Sequence, residues 1–135
     1  MKRLLYISES NINELDAPAT VLHIVATSQL KNAALALTGA LLFTGVHFAQ
    51  IIEGPTASIK KLMISLANDQ RHGNIMVVDE SRITAREFPE WKMAYAGPSQ
   101  FVSRHVTILA QDPLRMEQRR AIERLIELIY QFSRP

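Results

Sequence analysis

Thr38-Gly39-Ala40-Leu41-Leu42-Phe43-Thr44-Gly45-Val46-His47-Phe48-Ala49-Gln50-Ile51-Ile52-Glu53-Gly54 reads as two short strands joined by a tight Gly45-Val46 connection, a β-hairpin. The second strand separates into two faces at period two, with Phe48, Gln50 and Ile52 on one and His47, Ala49 and Ile51 on the other. Phe48 and Ile52 mark the first face as buried. Gln50 then carries two amide donors and a two-lone-pair acceptor into the core, where each unpaired group costs on the order of 1–3 kcal/mol. A polar partner is required there.

The pattern extends outward from this hairpin on both sides. Upstream, residues 2–8 form an apolar strand candidate and residues 9–16 a polar connection. Asp16-Ala17-Pro18 then predicts a helix start, with Asp16 as the capping side chain and a proline tolerated in the first turn. That helix is expected to run to about Asn32–Ala34, with Val21, Leu22, Val25 and Ala26 as its core stripe. Downstream, Gly54-Pro55-Thr56 ends the strand and opens a second helix. There Ile59, Leu62, Met63 and Leu66 follow the i, i+3, i+4, i+7 template, and the helix ends near Asn68–Asp69. After a turn at Arg71-His72-Gly73-Asn74, Ile75–Val78 reads as a short strand, 86–90 as a loop or single turn, and Trp91–Tyr95 as a last strand.

The order βαββαββ predicts an α+β, ferredoxin-like fold: a mixed sheet with two helices on one face. Residues 99–110 carry no decisive pattern. Asp112-Pro113 predicts another cap and first turn, leading into a helix to about Phe132 on which Ile122, Leu125, Ile126 and Ile129 form a stripe. Residues 98–135 are thus expected to be a C-terminal helical extension of the same compact unit as residues 1–97, with no room for a second domain and no internal repeat.

Composition narrows the function classes. A chain of 135 residues, 47% hydrophobic and 21% charged, fits one ordinary globular domain. The absence of cysteine excludes disulfides and thiolate metal sites within it. No stretch approaches the roughly 18 apolar residues of a membrane span, and the N-terminus shows no leader pattern, so a cytoplasmic protein is expected. Net charge is +2, and the basic residues between Arg115 and Arg124 are interleaved with Glu117 and Glu123. That pattern reads as solvated helix surface and not as a nucleic-acid footprint. The four histidines show no metal-ligand spacing with any carboxylate. No Ser/His/Asp arrangement or phosphate-cradling glycine loop occurs.

Several residues could meet Gln50. Ile24, Ser28 and Asn32 recur at i, i+4, i+8 on the first helix and line one edge of it, an apolar residue beside a hydroxyl and an amide. Such an edge suits a ligand with one hydrophobic flank and one hydrogen-bonding side. On the first strand Leu4, Tyr6 and Ser8 share a face. Tyr6 and Gln50 would pair if their strands are neighbours, since a buried phenol normally finds a partner.

Taken in order and spacing, Tyr6, Ser28-Gln29-Leu30-Lys31-Asn32, Thr38-Gly39, Gln50, Glu53-Gly54, Asp69-x-Arg71-His72 and Phe88-x-x-Trp91-x-Met93 resemble the BLUF family of flavin-binding blue-light sensors over residues 1 to about 97. The resemblance implies a non-covalent flavin between the two helices, usually FAD, with FMN as the alternative. It implies that Asn32 bonds the polar edge of the ring, that Ile24 packs on it, and that Lys31 and Ser28 lie alongside. Asp69, Arg71 and His72 match the turn that follows the second helix. Two departures bear on the phosphate end: position 65 is Ser65 where some relatives have arginine, and position 31 is Lys31 where several have asparagine.

The same resemblance implies a photoreceptor and no enzyme. Blue light would drive coupled electron and proton transfer from Tyr6 through Gln50 to the flavin and back, leaving a rearranged Gln50 network and a red-shifted spectrum. The residue types suit this chemistry, since an oxidised phenol is strongly acidic and an amide both donates and accepts. Trp91 and Met93, candidate readers of the Gln50 state, lie on the strand leading to the C-terminal segment. Output is expected through that segment to a partner protein of unknown identity or to a second subunit in a homo-oligomer. The competing expectation is a flavin-free ferredoxin-like module, either a small-ligand regulator or an acylphosphatase-like hydrolase with an anion site at Arg71 and Asn74.

Overall fold

The hairpin lies inside the sheet in a computed structural model that describes residues 1–97, 99–111 and 118–134. The elements are β1 (Lys2–Ser10), α1 (Ala17–Ala34), β2 (Thr38–Phe43), β3 (His47–Gly54), α2 (Thr56–Ala67), β4 (His72–Arg82), β5 (Trp91–Ala96), α3 (Gln100–Gln111) and α4 (Arg119–Ser133). They build a ferredoxin-like α+β fold around a five-stranded sheet of order β4-β1-β3-β2-β5. The sheet is mixed: β2 pairs with β5 in parallel and the other neighbours are antiparallel. Hairpin register sets Leu41 opposite Gln50, and β1 sets Tyr6 opposite Gln50 from the other side.

Both faces of the sheet are buried. Leu4, Tyr6, Leu41, Phe48 and Ile52 pack against Val21 and Ile24 of α1 and Ile59 of α2. The opposite alternation of Leu5, Ile7, Ala40, Leu42, Ala49 and Ile51 packs against Val102, Val106 and Leu109 of α3 and Ile122, Leu125 and Ile129 of α4. The ambiguous stretch 99–110 is therefore helix, with its buried residues at i, i+4, i+7. The continuous apolar character of Leu4–Ile7 and Ala40–Phe43 is what a strand covered on both sides requires.

Two details of α1 differ from expectation. Asp16 occupies the N-cap position in a helical backbone conformation and its side chain makes no capping hydrogen bond; an extended cap residue would have been needed for that contact. Leu22 and Ala26 are exposed, because the buried stripe passes instead through Val21, Ile24, Val25, Ser28 and Asn32. The helix closes by a Schellman arrangement in which the Leu37 N–H donates to the Asn32 carbonyl (2.8 Å) and the Ala36 N–H to Ala33 (3.1 Å). Ala36 takes the left-handed slot that glycine usually fills, at φ 58°. Gly39 is demanded by space, since a Cβ there would lie 1.9 Å from the Ile51 carbonyl oxygen of β3.

β4 starts at His72, earlier than the Ile75 expected, because β1 supplies a partner edge as far as its Ser10. In β5 one extra residue, Ala94, separates Met93 from Tyr95 in the pairing with β2. The bulge re-aims the strand: Trp91 and Met93 join the α1–α2 side, while Tyr95 faces α4 and its ring lies 5.1 Å from that of Phe132. The cap expected at Asp112-Pro113, and Arg115 of the basic cluster, lie outside the described residues. Within that cluster Arg119 bonds Asp79 at 2.8 Å and Glu123 at 3.3 Å, so it ties α4 to β4.

Candidate functional site

Alternation along β1 and β3 sends Tyr6, Ser8, Phe48 and Gln50 to the α1–α2 side, where the two helices diverge over the sheet and leave a cleft. It encloses about 630 Å³, part of it open solvent, and its walls include Tyr6, Ile24, Ser28, Lys31, Asn32, Gln50, Asp69, Arg71 and His72. Every residue singled out by sequence for this site lines it except Trp91 and Met93.

Trp91 stands behind Gln50. The Gln50 side chain is 4% exposed, its Nε2 donates to the Tyr6 hydroxyl at 2.7 Å, and its Oε1 accepts from Trp91 Nε1–H at 2.9 Å. An indole N–H can only donate, so the amide must turn its oxygen to Trp91 and its nitrogen to Tyr6. Met93 is half-buried in the same cluster; Trp91 is the residue that bonds Gln50. Burial pushes the Tyr6 hydroxyl well above its ordinary range, an effect that the Gln50 bond opposes and the Asp69 charge adds to. Tyr6 is a neutral phenol at any physiological pH.

Asn32 faces the cleft from the end of α1. It is 1% exposed, its backbone carbonyl is used by the helix-closing turn, and its Oδ1 accepts no hydrogen bond. A buried acceptor without a donor is unfavourable by itself, and in a cleft wall it calls for an N–H from a bound molecule. The donor set matches an isoalloxazine: its imide edge would supply such a donor, and Ile24, Leu62 and Leu66 would supply apolar flanks.

The turn after α2 is held tightly. Asp69 takes the Arg71 guanidinium in a fork (Nε 2.9 Å, Nη2 2.6 Å) and also accepts the Arg71 backbone N–H at 3.0 Å. The Arg71 hydrogen bonds lower the Asp69 carboxyl below its ordinary value, and Asp69 in return raises Arg71. His72 Nε2 lies 3.0 Å from the Leu66 carbonyl, which can only accept, so this nitrogen carries the hydrogen. In the neutral ring Nδ1 then accepts from the Ser8 hydroxyl at 2.7 Å. This turn shapes the cleft floor beside Tyr6, whose ring centroid is 6.2 Å from that of His72. The anion site imagined at Arg71 and Asn74 is not assembled, because Arg71 is engaged by Asp69 and Asn74 donates to Glu9.

Sequence reasoning missed Thr27 as a lining residue and treated Phe48, Leu41, Leu62 and Leu66 as core alone. Thr27 lies four residues before Lys31, so the helical row parallel to Ile24, Ser28 and Asn32 was the available signal. Among the described residues no group of three or more His, Asp or Glu side chains could hold a metal, and no helix is long and apolar enough to cross a membrane.

Comparison with known proteins agrees with the geometry. The family model described as "BLUF: Sensors of blue-light using FAD" matches residues 1–94. Photoactivated adenylate cyclase subunit beta of Euglena longa is 33% identical over 96 residues, 69% of this chain and 11% of that protein. The blue light- and temperature-regulated antirepressor BluF of Escherichia coli K12 is 32% identical over 82 residues, 61% of this chain and 20% of that one. The chain thus spans only a small part of the length of these curated relatives. Among solved structures, the dark state of BlrB, a BLUF protein, superposes with a TM-score of 0.77 at 31% identity, over 96% of this chain and 95% of that one.

Proposed function

The chain belongs to the BLUF family of blue-light sensors that use FAD, and on that premise we propose that Tyr6, Gln50 and Trp91 are its light-sensitive switch. The observation that carries this reading is the continuous Tyr6–Gln50–Trp91 hydrogen-bonded chain along one wall of a cleft whose opposite helix presents an unpaired Asn32 oxygen.

In this reading residues 1–97 are the flavin-binding unit and 98–135 its helical extension. Asn32 holds the ring's polar edge, Ile24 and Ser28 its flank, Lys31 the rim of the cleft, and Asp69, Arg71 and His72 the shape of the floor. When bound, the photoexcited flavin supplies a strong oxidant to the cleft. Tyr6 is the donor. Its proton is held firmly in the ground state, and loss of an electron makes a phenol acidic, so proton and electron leave together. Gln50 is the relay, because one amide both donates and accepts.

The consequence for Trp91 follows from donor and acceptor counting. A Gln50 amide turned end for end would present N–H groups to an indole that can only donate. That juxtaposition forfeits a buried hydrogen bond worth about 1–3 kcal/mol, enough to bias a two-state element. Trp91 opens β5, whose bulge carries the chain to Tyr95, against Phe132 of α4. Output then passes through α3 and α4 to a downstream signalling protein or to a second copy of this chain in the cytoplasm, with Phe101 and Ile108 of α3 as exposed apolar contacts. Light-dependent size measurement tests the self-association arm.

The switch itself is tested by Tyr6→Phe and Gln50→Leu. Both variants are expected to bind flavin yet lose the reversible red shift under blue light. A normal shift in both removes Tyr6 and Gln50 from the mechanism.

A further inference from the structure

Trp91 can report on Gln50 only if the indole is held in one place, and the surrounding segment contains a costly device for doing so. Glu53 lies three residues beyond Gln50 on β3, on the other face of the sheet, and is 0% exposed. Its Oε1 accepts the backbone N–H groups of Glu87 (2.9 Å) and Phe88 (2.8 Å). The guanidinium of Arg3 stands off at 4.0 Å and bonds the Glu87 carboxylate instead at 3.0 Å. A buried carboxylate met mainly by two amides is an expensive way to gain stability, and an apolar side chain of the same volume would serve that purpose better.

What the carboxylate holds is the lead-in to Trp91. Arg86 donates to the Thr38 hydroxyl (2.6 Å), the Glu53 carbonyl (2.9 Å) and the Ala36 carbonyl (2.8 Å). The Glu90 carbonyl accepts the Gly39 N–H at 3.1 Å. Phe88 is buried on the α4 side, edge-on to Tyr130 at 5.8 Å. Residues 86, 87, 88 and 90 are thereby tied to the ends of β2 and β3 or to α4, one residue short of the indole.

We propose that Glu53, with Arg86, is a positioning residue for the switch: it locks the 86–90 segment so that the Trp91 N–H stays at the Gln50 amide oxygen. The proposal rests on the reading of Gln50 given above and deepens it. A locked indole favours the amide orientation that accepts from it and penalises the reversed one. Loosening the lock weakens that preference, so the light-induced state returns to the dark state more slowly.

Trp91 is the single tryptophan of the chain, so its indole N–H gives one resolved cross-peak in a ¹H–¹⁵N spectrum of the flavin-loaded protein. In Glu53→Gln, hydrogen exchange at that cross-peak is expected to rise about tenfold, the scale of local opening that turning charge-assisted hydrogen bonds into neutral ones allows. Dark recovery slows severalfold. In a Trp91→Phe background the same substitution leaves recovery unchanged, a coupling that a merely structural role would not produce. Arg86→Lys, which keeps the charge but loses the fork, gives the same signature and carries the test alone should Glu53→Gln not fold. Wild-type indole exchange in the folded variants overturns the proposal, as does an equal effect on recovery with and without Trp91. A wild-type chain lacking any red shift overturns the switch instead, while indole exchange still reads whether Glu53 holds Trp91.

Discussion

Replacing Asn32 by leucine is expected to move stability and flavin affinity in opposite directions. The side chain is 1% exposed and its Oδ1 lacks a partner within the protein. An unpaired buried acceptor costs about 1–3 kcal/mol, and leucine removes it at nearly constant shape while adding a few tenths of a kcal/mol in helix propensity. The backbone carbonyl that closes α1 is untouched. Flavin-free Asn32→Leu protein should therefore unfold at higher urea, by on the order of 1 M for a slope of about 1.5 kcal/mol per M. Flavin binding should weaken about 5- to 150-fold, the equivalent of one hydrogen bond to a buried group. Urea unfolding of the stripped protein and fluorescence titration with FAD measure the two sides. A variant that is less stable without flavin and binds it as before would show that Asn32 is a structural part of the helix end, and the reasoning from its orphaned oxygen would fail.

Tyr6 gives the pH prediction. Its folded pKa is raised above the ordinary 10.0, chiefly by burial, so its contribution to stability is complete below about pH 10 and is lost as pH climbs from there, where only the unfolded chain gives up the proton. In a spectrophotometric titration the Tyr6 phenol should stay un-ionised until the chain unfolds, a step that Tyr6→Phe should remove; ionisation of Tyr6 near pH 10 in folded protein would contradict it. Ala36→Gly relieves the left-handed alanine and should add about 0.5–1 kcal/mol, or about 2–4 °C in Tm. No gain in a thermal melt would mean that the loss of unfolded-state restriction cancels the strain. Leu125→Ala, at a residue with 0% exposure between α4 and the sheet, should cost about 2–5 kcal/mol in chemical denaturation. A cost under about 1 kcal/mol would mean that α4 does not share the core.

The chain's own letters carried the order of strands and helices through residue 97, the hairpin, and the oddity of a glutamine on a buried strand face. These are local quantities: period two against period 3.6, glycine and proline at the breaks, and a polar residue out of phase with its neighbours. They also placed Ile24, Ser28 and Asn32 on one helix edge, because spacing along a helix fixes which side chains share a side. Packing decided the rest. The helix at 100–111 was unreadable because its apolar residues have meaning only against the back of the sheet, and the local pattern does not say what covers that face. That Gln50 meets Trp91, and that Glu53 reaches the amides of 87 and 88, depends on a parallel β2–β5 pairing between segments about fifty residues apart. Periodicity is blind to such register, since a hydrogen bond across a sheet belongs to two strands at once and is written in neither.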